Sequence, residues 1–135
     1  MSFDVFLNFD GDCAEALDFY AEVFDIKKPE QIMTYGQNPG GADEEDRDRI
    51  LYTVMPIHGC NMMFSDCPSG SRYVKGNNFA LTLGFTDEAE ITRIYHALAR
   101  EGTVRMELGK TFFSDCYAMV VDKFGITWQL SKTAE

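Results

Sequence analysis

VVDKFGITWQL, residues 120–130, sets two apolar, β-branched runs on either side of Asp122-Lys123-Phe124-Gly125. A glycine-containing turn between such runs predicts a β-hairpin, with Gln129 near the end of its second strand. A second hairpin of the same form lies upstream, where RILYTVMPI (49–57) and CNMMFSD (60–66) flank His58-Gly59. Moving the chain by 66 residues lays His58 to Phe64 on Phe124 to Leu130. The hairpin therefore occurs twice.

The segments before each hairpin repeat as well. FDVFLNF (3–9) reads as a strand, and in DGDCAEALDFYAEVFDI the residues Ala16, Leu17, Tyr20 and Phe24 recur at helical spacing. FALTLGF (79–85) and DEAEITRIYHALAREG follow the same plan, with Ile91, Ile94, Tyr95 and Leu98 on one helix face. Asp12 with Glu15, and Asp87 with Glu90, stand at capping-box spacing and predict where the two helices start. Gly102 is expected to stop the second helix. EQIMTYG (30–36), TVRMELG and FFSDCYAMVVD supply further strands, so the order is strand, helix, three strands, twice over. A shift of 75 residues lays Asp12, Ala14, Glu15 and Tyr20 on Asp87, Ala89, Glu90 and Tyr95, which supports an internal βαβββ repeat. The acidic segment QNPGGADEEDRDR occurs only in the first half and is expected to be a solvated loop.

With 135 residues, 45% of them apolar, the chain suits a single domain with a real core. Its expected span is 1–135, divided into module 1 at about 1–66 and module 2 at about 79–135. A net charge of −10 argues against nucleic acid, which is gripped by clustered Lys and Arg. No apolar run is long enough to span a bilayer, and Asp4 stands where a signal peptide would be basic, so no membrane partner and a cytoplasmic location are expected. Cys13, Cys60, Cys67 and Cys116 lack CxxC spacing and are expected to be reduced, mostly buried thiols. His58 falls in a turn and His96 between the apolar positions of a helix, so neither is expected to be a ligand.

Three apparent motifs fail on spacing or context. GKT at 109–111 lacks the preceding glycine of a phosphate loop and lies between two strands. CPSGSRY is not a GxSxG elbow. No GxGxxG follows a strand, which leaves a dinucleotide or Rossmann-type S-adenosylmethionine site without support.

LNFDGDCAEALDFY near the start, MMFSD in the fourth strand, and TFF followed by VVDKFGITWQL near the end resemble the PhnB-like branch of the vicinal oxygen chelate superfamily. That superfamily holds glyoxalases, bleomycin-resistance proteins and dioxygenases. The resemblance covers essentially the whole chain and implies an α+β fold in which two tandem βαβββ modules form a curled, half-barrel-like mixed sheet with helices on the outside. It also implies pairing of two chains into a homodimer, and a concave site that commonly holds a divalent metal on His, Glu or Gln.

By that resemblance the metal-ligand positions fall on Val5, within Phe79-Ala80-Leu81, on Met63 and on Gln129. A valine, an apolar triplet, a methionine and one neutral amide cannot repay the dehydration of a divalent ion, so no metal or other cofactor is expected. Strand alternation instead predicts an apolar pocket, with Val5, Leu7, Tyr52, Met63, Ser65, Tyr117, Met119 and Gln129 in its wall and Trp128 in the core. Gln129 is either a hydrogen-bonding group of that pocket or an amide bonded to neighbouring backbone. The expected function is capture of a small, partly aromatic molecule without the usual metal site. The alternative is a metal-dependent lyase, transferase or dioxygenase of the same superfamily. PhnB-like sequences have also been labelled demethylubiquinone methyltransferases, a label to which no residue pattern here gives physical support.

Overall fold

The computed structural model describes residues 1–133, so the last two residues of the second module lie outside it. It divides into two compact units, Met1–Val74 and Lys75–Glu135. The first contains β1 (Val5–Phe9), α1 (Cys13–Phe24), β2 (Met33–Thr34), β3 (Ile50–Ile57) and β4 (Cys60–Asp66). The second contains β5 (Leu81–Phe85), α2 (Glu88–Ala99), β6 (Thr103–Gly109), β7 (Tyr117–Val121) and β8 (Thr127–Lys132). Short 3₁₀ turns at Tyr35–Gln37 and Glu44–Asp46 interrupt the long connection between β2 and β3.

Each unit carries one four-stranded mixed sheet, ordered β1-β4-β3-β2 in the first and β5-β8-β7-β6 in the second. The first strand runs parallel to the last, β1 on β4 and β5 on β8, while the hairpins β3–β4 and β7–β8 are antiparallel. A parallel pair needs a crossover, and in both units a helix leads the chain away from the first strand. The fold is α+β, as the repeat predicts.

The hairpin turns explain why their sequences recur. His58 and Gly59 both have positive φ, 52° and 82°, which matches the right-handed twist of the flanking strands. In the second hairpin a side chain closes the turn: Asp122 Oδ1 accepts hydrogen bonds from the N–H of Phe124 at 2.9 Å and of Ile126 at 3.1 Å. Its Oδ2 accepts from Trp128 Nε1 at 2.9 Å, and Trp128 is 1% exposed. The tryptophan is core, and its one polar atom is satisfied.

In α2 the buried face is the one its spacing predicts, Ile91, Ile94, Tyr95 and Leu98; in α1 Ala16, Leu17 and Tyr20 are buried as expected, with Val23 buried in place of Phe24, which is half-buried. At α2 the Asp87 carboxylate accepts from the Ala89 N–H at 3.0 Å. At α1 the expected capping box does not form, because Asp12 sits at φ −108°, ψ 19° and makes no side-chain cap. Asp66, buried at the end of β4, takes that role: its Oδ1 accepts from Gly11 N at 2.8 Å and Cys13 N at 3.0 Å. Its Oδ2 accepts from Ile50 N at 2.9 Å, so one carboxylate at the end of β4 ties the start of α1 to the start of β3. After α2, Arg100 is the C-cap and Glu101 adopts φ 59°. Gly102 is required by packing instead, since a Cβ there would collide with the Val121 carbonyl oxygen.

The acidic connection is more than a solvated loop. Asp46 is buried at 4% exposure, accepts from the Ser69 N–H at 3.1 Å and faces Arg49 at 3.5 Å. Arg49 Nη1 also donates to Asp10 Oδ1 at 2.9 Å and to the Cys67 carbonyl at 2.8 Å. The hydrogen bond from Arg49 holds the Asp10 carboxyl below its usual range. All four cysteines are free thiols; Cys13 and Cys116 are buried, and burial pushes the Cys13 thiol far up.

Candidate functional site

Every sheet here has a helix-covered side and an open side, and strand register assigns each residue to one of them. In β1, Val5, Leu7 and Phe9 pair with Met62, Phe64 and Asp66. Leu7 is 3% exposed and Phe64 is fully buried, with its ring centroid 6.1 Å from that of Tyr20 of α1. Val5 and Leu7 therefore lie on the helix side, which corrects their assignment to the pocket wall. The physical reason is the phase of the alternation: 5, 7 and 9 are all apolar, whereas 4, 8 and 10 are polar. The open-side residues of β1 are Phe6 and Asn8, which were missed, although the same alternation in DVFLNFD marks them.

On the open side of the first unit, Phe6 pairs with Met63 and Met63 with Val54; Asn8 pairs with Ser65. Tyr52 is on this side too, opposite Met33 of β2, and its ring lies 6.0 Å from that of Phe6. Register thus places Tyr52, Met63 and Ser65 on one side of the sheet, with Ser65 only 8% exposed. Phe6, Tyr52 and Met33 are all at least 41% exposed, an unusual grouping of large apolar groups on a sheet face. Ser65 Oγ donates to Asn8 Oδ1 at 3.1 Å, which orients the Asn8 amide and leaves its N–H₂ without a partner among the described residues.

A cavity of about 690 Å³ opens beside Tyr52, with Pro29, Ile32, Met33 and Val54 as its other apolar walls. The segment before β2 that forms much of this wall is anchored: Thr53 Oγ1 donates to the Gln31 carbonyl at 2.8 Å, and Thr34 N donates to Gln37 Oε1 at 3.0 Å. Of the eight residues expected to line a pocket, Tyr52 alone borders this cavity.

In the second unit, Thr82, Gln129 and Met119 form one open-side row, extended by Met106 of β6. Tyr117 pairs with Ser131 on the same side, so Tyr117, Met119 and Gln129 do share a face. Tyr117 is not an open wall, however. The Phe113 ring covers it at 4.9 Å, leaving it 5% exposed, and burial raises its phenol above the usual range. The strand begins only at Tyr117, later than the sequence suggests, because residues 111–116 fold back through hydrogen bonds among Thr111, Ser114 and Cys116. Gln129 is half-buried and its amide makes no side-chain hydrogen bond among the described residues.

The donor chemistry can be tested against the divalent metal that the fold suggests. The open faces offer Asn8 and Ser65 in one unit and Thr82, Gln129 and Ser131 in the other, all neutral. Among the described residues no three His, Cys, Asp or Glu side chains converge as a metal-binding group. Neutral amides and hydroxyls do not fit a divalent ion that must exchange its hydration shell for anionic or imidazole donors. Among the described residues no helix is long and apolar enough to cross a membrane.

Two four-stranded mixed sheets with one helix apiece define the glyoxalase-like class of α+β fold, and the fosfomycin resistance protein FosX from Listeria monocytogenes shares it. That structure matches with a TM-score of 0.64 at 11% identity over 97% of this chain and 91% of its own, which shows the fold alone. Within that class, residues 2–131 match the family described as 3-demethylubiquinone-9 3-methyltransferase, and the chain belongs to this PhnB-like family. Protein PA1353 from Pseudomonas aeruginosa is 28% identical with a TM-score of 0.87, covering 98% of this chain and 97% of its own. A PhnB protein from Bacillus cereus, carrying the same methyltransferase description, is 27% identical with a TM-score of 0.82 over 98% and 100%. Protein YjdN of Escherichia coli strain K12 is 27% identical over 97% of this chain and 95% of its own.

Proposed function

We propose that the chain is a small-molecule-binding member of the vicinal oxygen chelate superfamily that captures a partly aromatic compound on an open sheet face without a divalent metal. The observation that carries this reading is the exposed cluster of Phe6, Tyr52 and Met33 beside a cavity of about 690 Å³ whose lining adds the polar side chains of Gln31, Gln37 and Thr53. Ligand sites combine apolar walls with a few placed polar groups, and this surface has both. Thermal-shift and NMR titrations with aromatic compounds test it, on protein purified without chelator and analysed for metal. Ligand-induced shifts at the Tyr52 ring support the reading; stoichiometric metal whose removal unfolds the chain would overturn it.

The family's description favours a second reading, methyl transfer to a demethylubiquinone. Equilibrium dialysis with S-adenosylmethionine separates the two, since a methyltransferase must bind its donor. Pairing into a homodimer belongs to the same proposal. Val74 and Phe112, exposed at 76% and 100%, are apolar surface that a second copy would cover. Sedimentation equilibrium is expected to show a dimer that Phe112→Ser weakens; a wild-type monomer at high concentration removes this part.

A further inference from the structure

The charge around the cavity narrows the kind of molecule it would hold. Its apolar walls, Pro29, Ile32, Met33, Tyr52 and Val54, are joined by Glu30, the one acidic or basic lining residue among those described. Among the described residues no lysine, arginine or histidine lines it. Lys28, nearby in sequence, is held 2.8 Å from Asp18. Glu30 is exposed and makes no ion pair among the described residues. The whole chain carries −10, so the long-range field also draws cations and repels anions. A carboxylate beside an aromatic face and a thioether suits one chemistry in particular: an ammonium group attached to an apolar, aromatic body, where the cation meets both the carboxylate and the ring face of Tyr52.

We propose, building on the small-molecule reading above, that the cavity beside β2 and β3 takes an aryl-alkyl amine, with Glu30 pairing with the ammonium and Tyr52 and Met33 packing on the aromatic body. An anionic aromatic acid would leave its carboxylate facing Glu30 with no cation to answer it, and is rejected. A neutral alcohol of the same shape keeps the apolar contacts and loses only the ion pair.

Three probes of one shape separate these outcomes: 2-(1-naphthyl)ethylamine, 2-(1-naphthyl)ethanol and 1-naphthylacetate, titrated against the full chain by NMR at low and at physiological salt. The amine is expected to bind about threefold to tenfold more tightly than the alcohol, with shifts at the Met33 methyl and Tyr52 ring, and the gap should narrow with salt. Glu30→Gln should close the gap by weakening the amine alone, and Glu30→Lys should make the acetate the preferred probe; neither exposed substitution should alter the fold. Equal binding of amine and alcohol to the wild-type chain, or a preference for the acetate, overturns the amine assignment and leaves the small-molecule site standing. Failure of all three probes to perturb Met33 or Tyr52 overturns both.

Discussion

The two units share a plan and differ in what they show on one side of it. On the helix side, Leu7 and Phe64 in the first unit correspond to Leu83 and Leu130 in the second; all four are buried. On the open side, Phe6–Met63–Val54 in the first unit stands where the second has Thr82–Gln129–Met119. The neighbouring row contrasts Asn8–Ser65 with Gly84–Ser131. Burial under a helix limits what a duplicated position can become, because a changed volume or a lone polar atom costs stability at once. An open face carries no such penalty, so its chemistry is free to follow a ligand. The aromatic cluster and the cavity beside Tyr52 belong to the first unit, and the neutral amide row to the second.

The comparison extends to the buried carboxylates, and the largest expected effect breaks it there. Asp66 and Asp122 are 2% and 3% exposed, and each accepts hydrogen bonds from three N–H groups. Asp66→Ala leaves unpaired backbone donors at the start of α1 and of β3, far apart in the chain, and should cost about 4 kcal/mol in urea denaturation. Asp122→Ala should cost somewhat less, about 3 kcal/mol, because its backbone donors lie within one turn rather than at two distant elements. Equal loss from both would show that the span of elements tied together does not matter.

Next in size is the core residue under each last strand. Trp128→Phe removes buried volume and orphans part of Asp122, for an expected cost of about 2 kcal/mol. Met62 occupies the matching helix-side position in the first unit, and Met62→Leu, a volume-conserving exchange, should cost less than about 1.5 kcal/mol. A reversed order in thermal denaturation would contradict the register.

On the open sides the expectation is the reverse, with stability unmoved and binding changed. Tyr52→Leu and Gln129→Ala should each shift stability by no more than about 0.5 kcal/mol. Tyr52→Leu should abolish the NMR response of the first unit to aromatic probes, while Gln129→Ala should leave that response at Met33 unchanged. An effect of Gln129→Ala at Met33 would show that the two faces act on one ligand.

The smallest effects are electrostatic and opposite in pH. Asp10, hydrogen-bonded to Arg49, titrates below the ordinary 3.8. Its contribution is present above that value and disappears as pH falls through the lower folded one. Lys132 Nζ donates to Glu88 at 2.9 Å and titrates above the ordinary 10.5. Its contribution is present below that value and is lost as pH rises through the higher one. Asp10 is exposed and Lys132 partly so, and solvent screening keeps both effects small. Asp10→Asn should flatten the acid limb of a urea-midpoint profile and Lys132→Met the alkaline limb; an exchange of the two limbs would refute the assignment.

How much was legible follows from the range of the interaction involved. The hairpin at Asp122–Gly125, the helix faces, the two-fold repeat and the buried Trp128 rest on neighbours within a few residues, and the letters display them. Placement of Tyr52, Met63, Ser65, Met119 and Gln129 on open faces followed from alternation once the hairpins were in register. Val5 and Leu7 were misplaced because a ligand position taken from a resemblance overrode the phase of their own strand. Tyr117 was placed on the right face, but its cover by Phe113 depends on how residues 111–116 fold back. The cavity wall at Pro29–Met33 was missed because the strand expected at 30–36 shortens to Met33–Thr34, and the residues before it form the wall instead.

The sequence alone determined the repeated βαβββ order, the side of β4 and β8 that α1 or α2 would cover, and the neutral character of Met63, Ser65, Met119 and Gln129 on the other side. These are local properties, set by periodicity and residue type. Only the tertiary structure decided that Asp66, rather than Asp12, caps α1, that Asp46 and Arg49 pin the acidic connection, and that Glu30 and Tyr52 line one cavity. Each joins residues far apart in the chain, or a segment with no periodicity to announce it. Loop closure and burial choose such contacts, and a string of letters carries no distance across them.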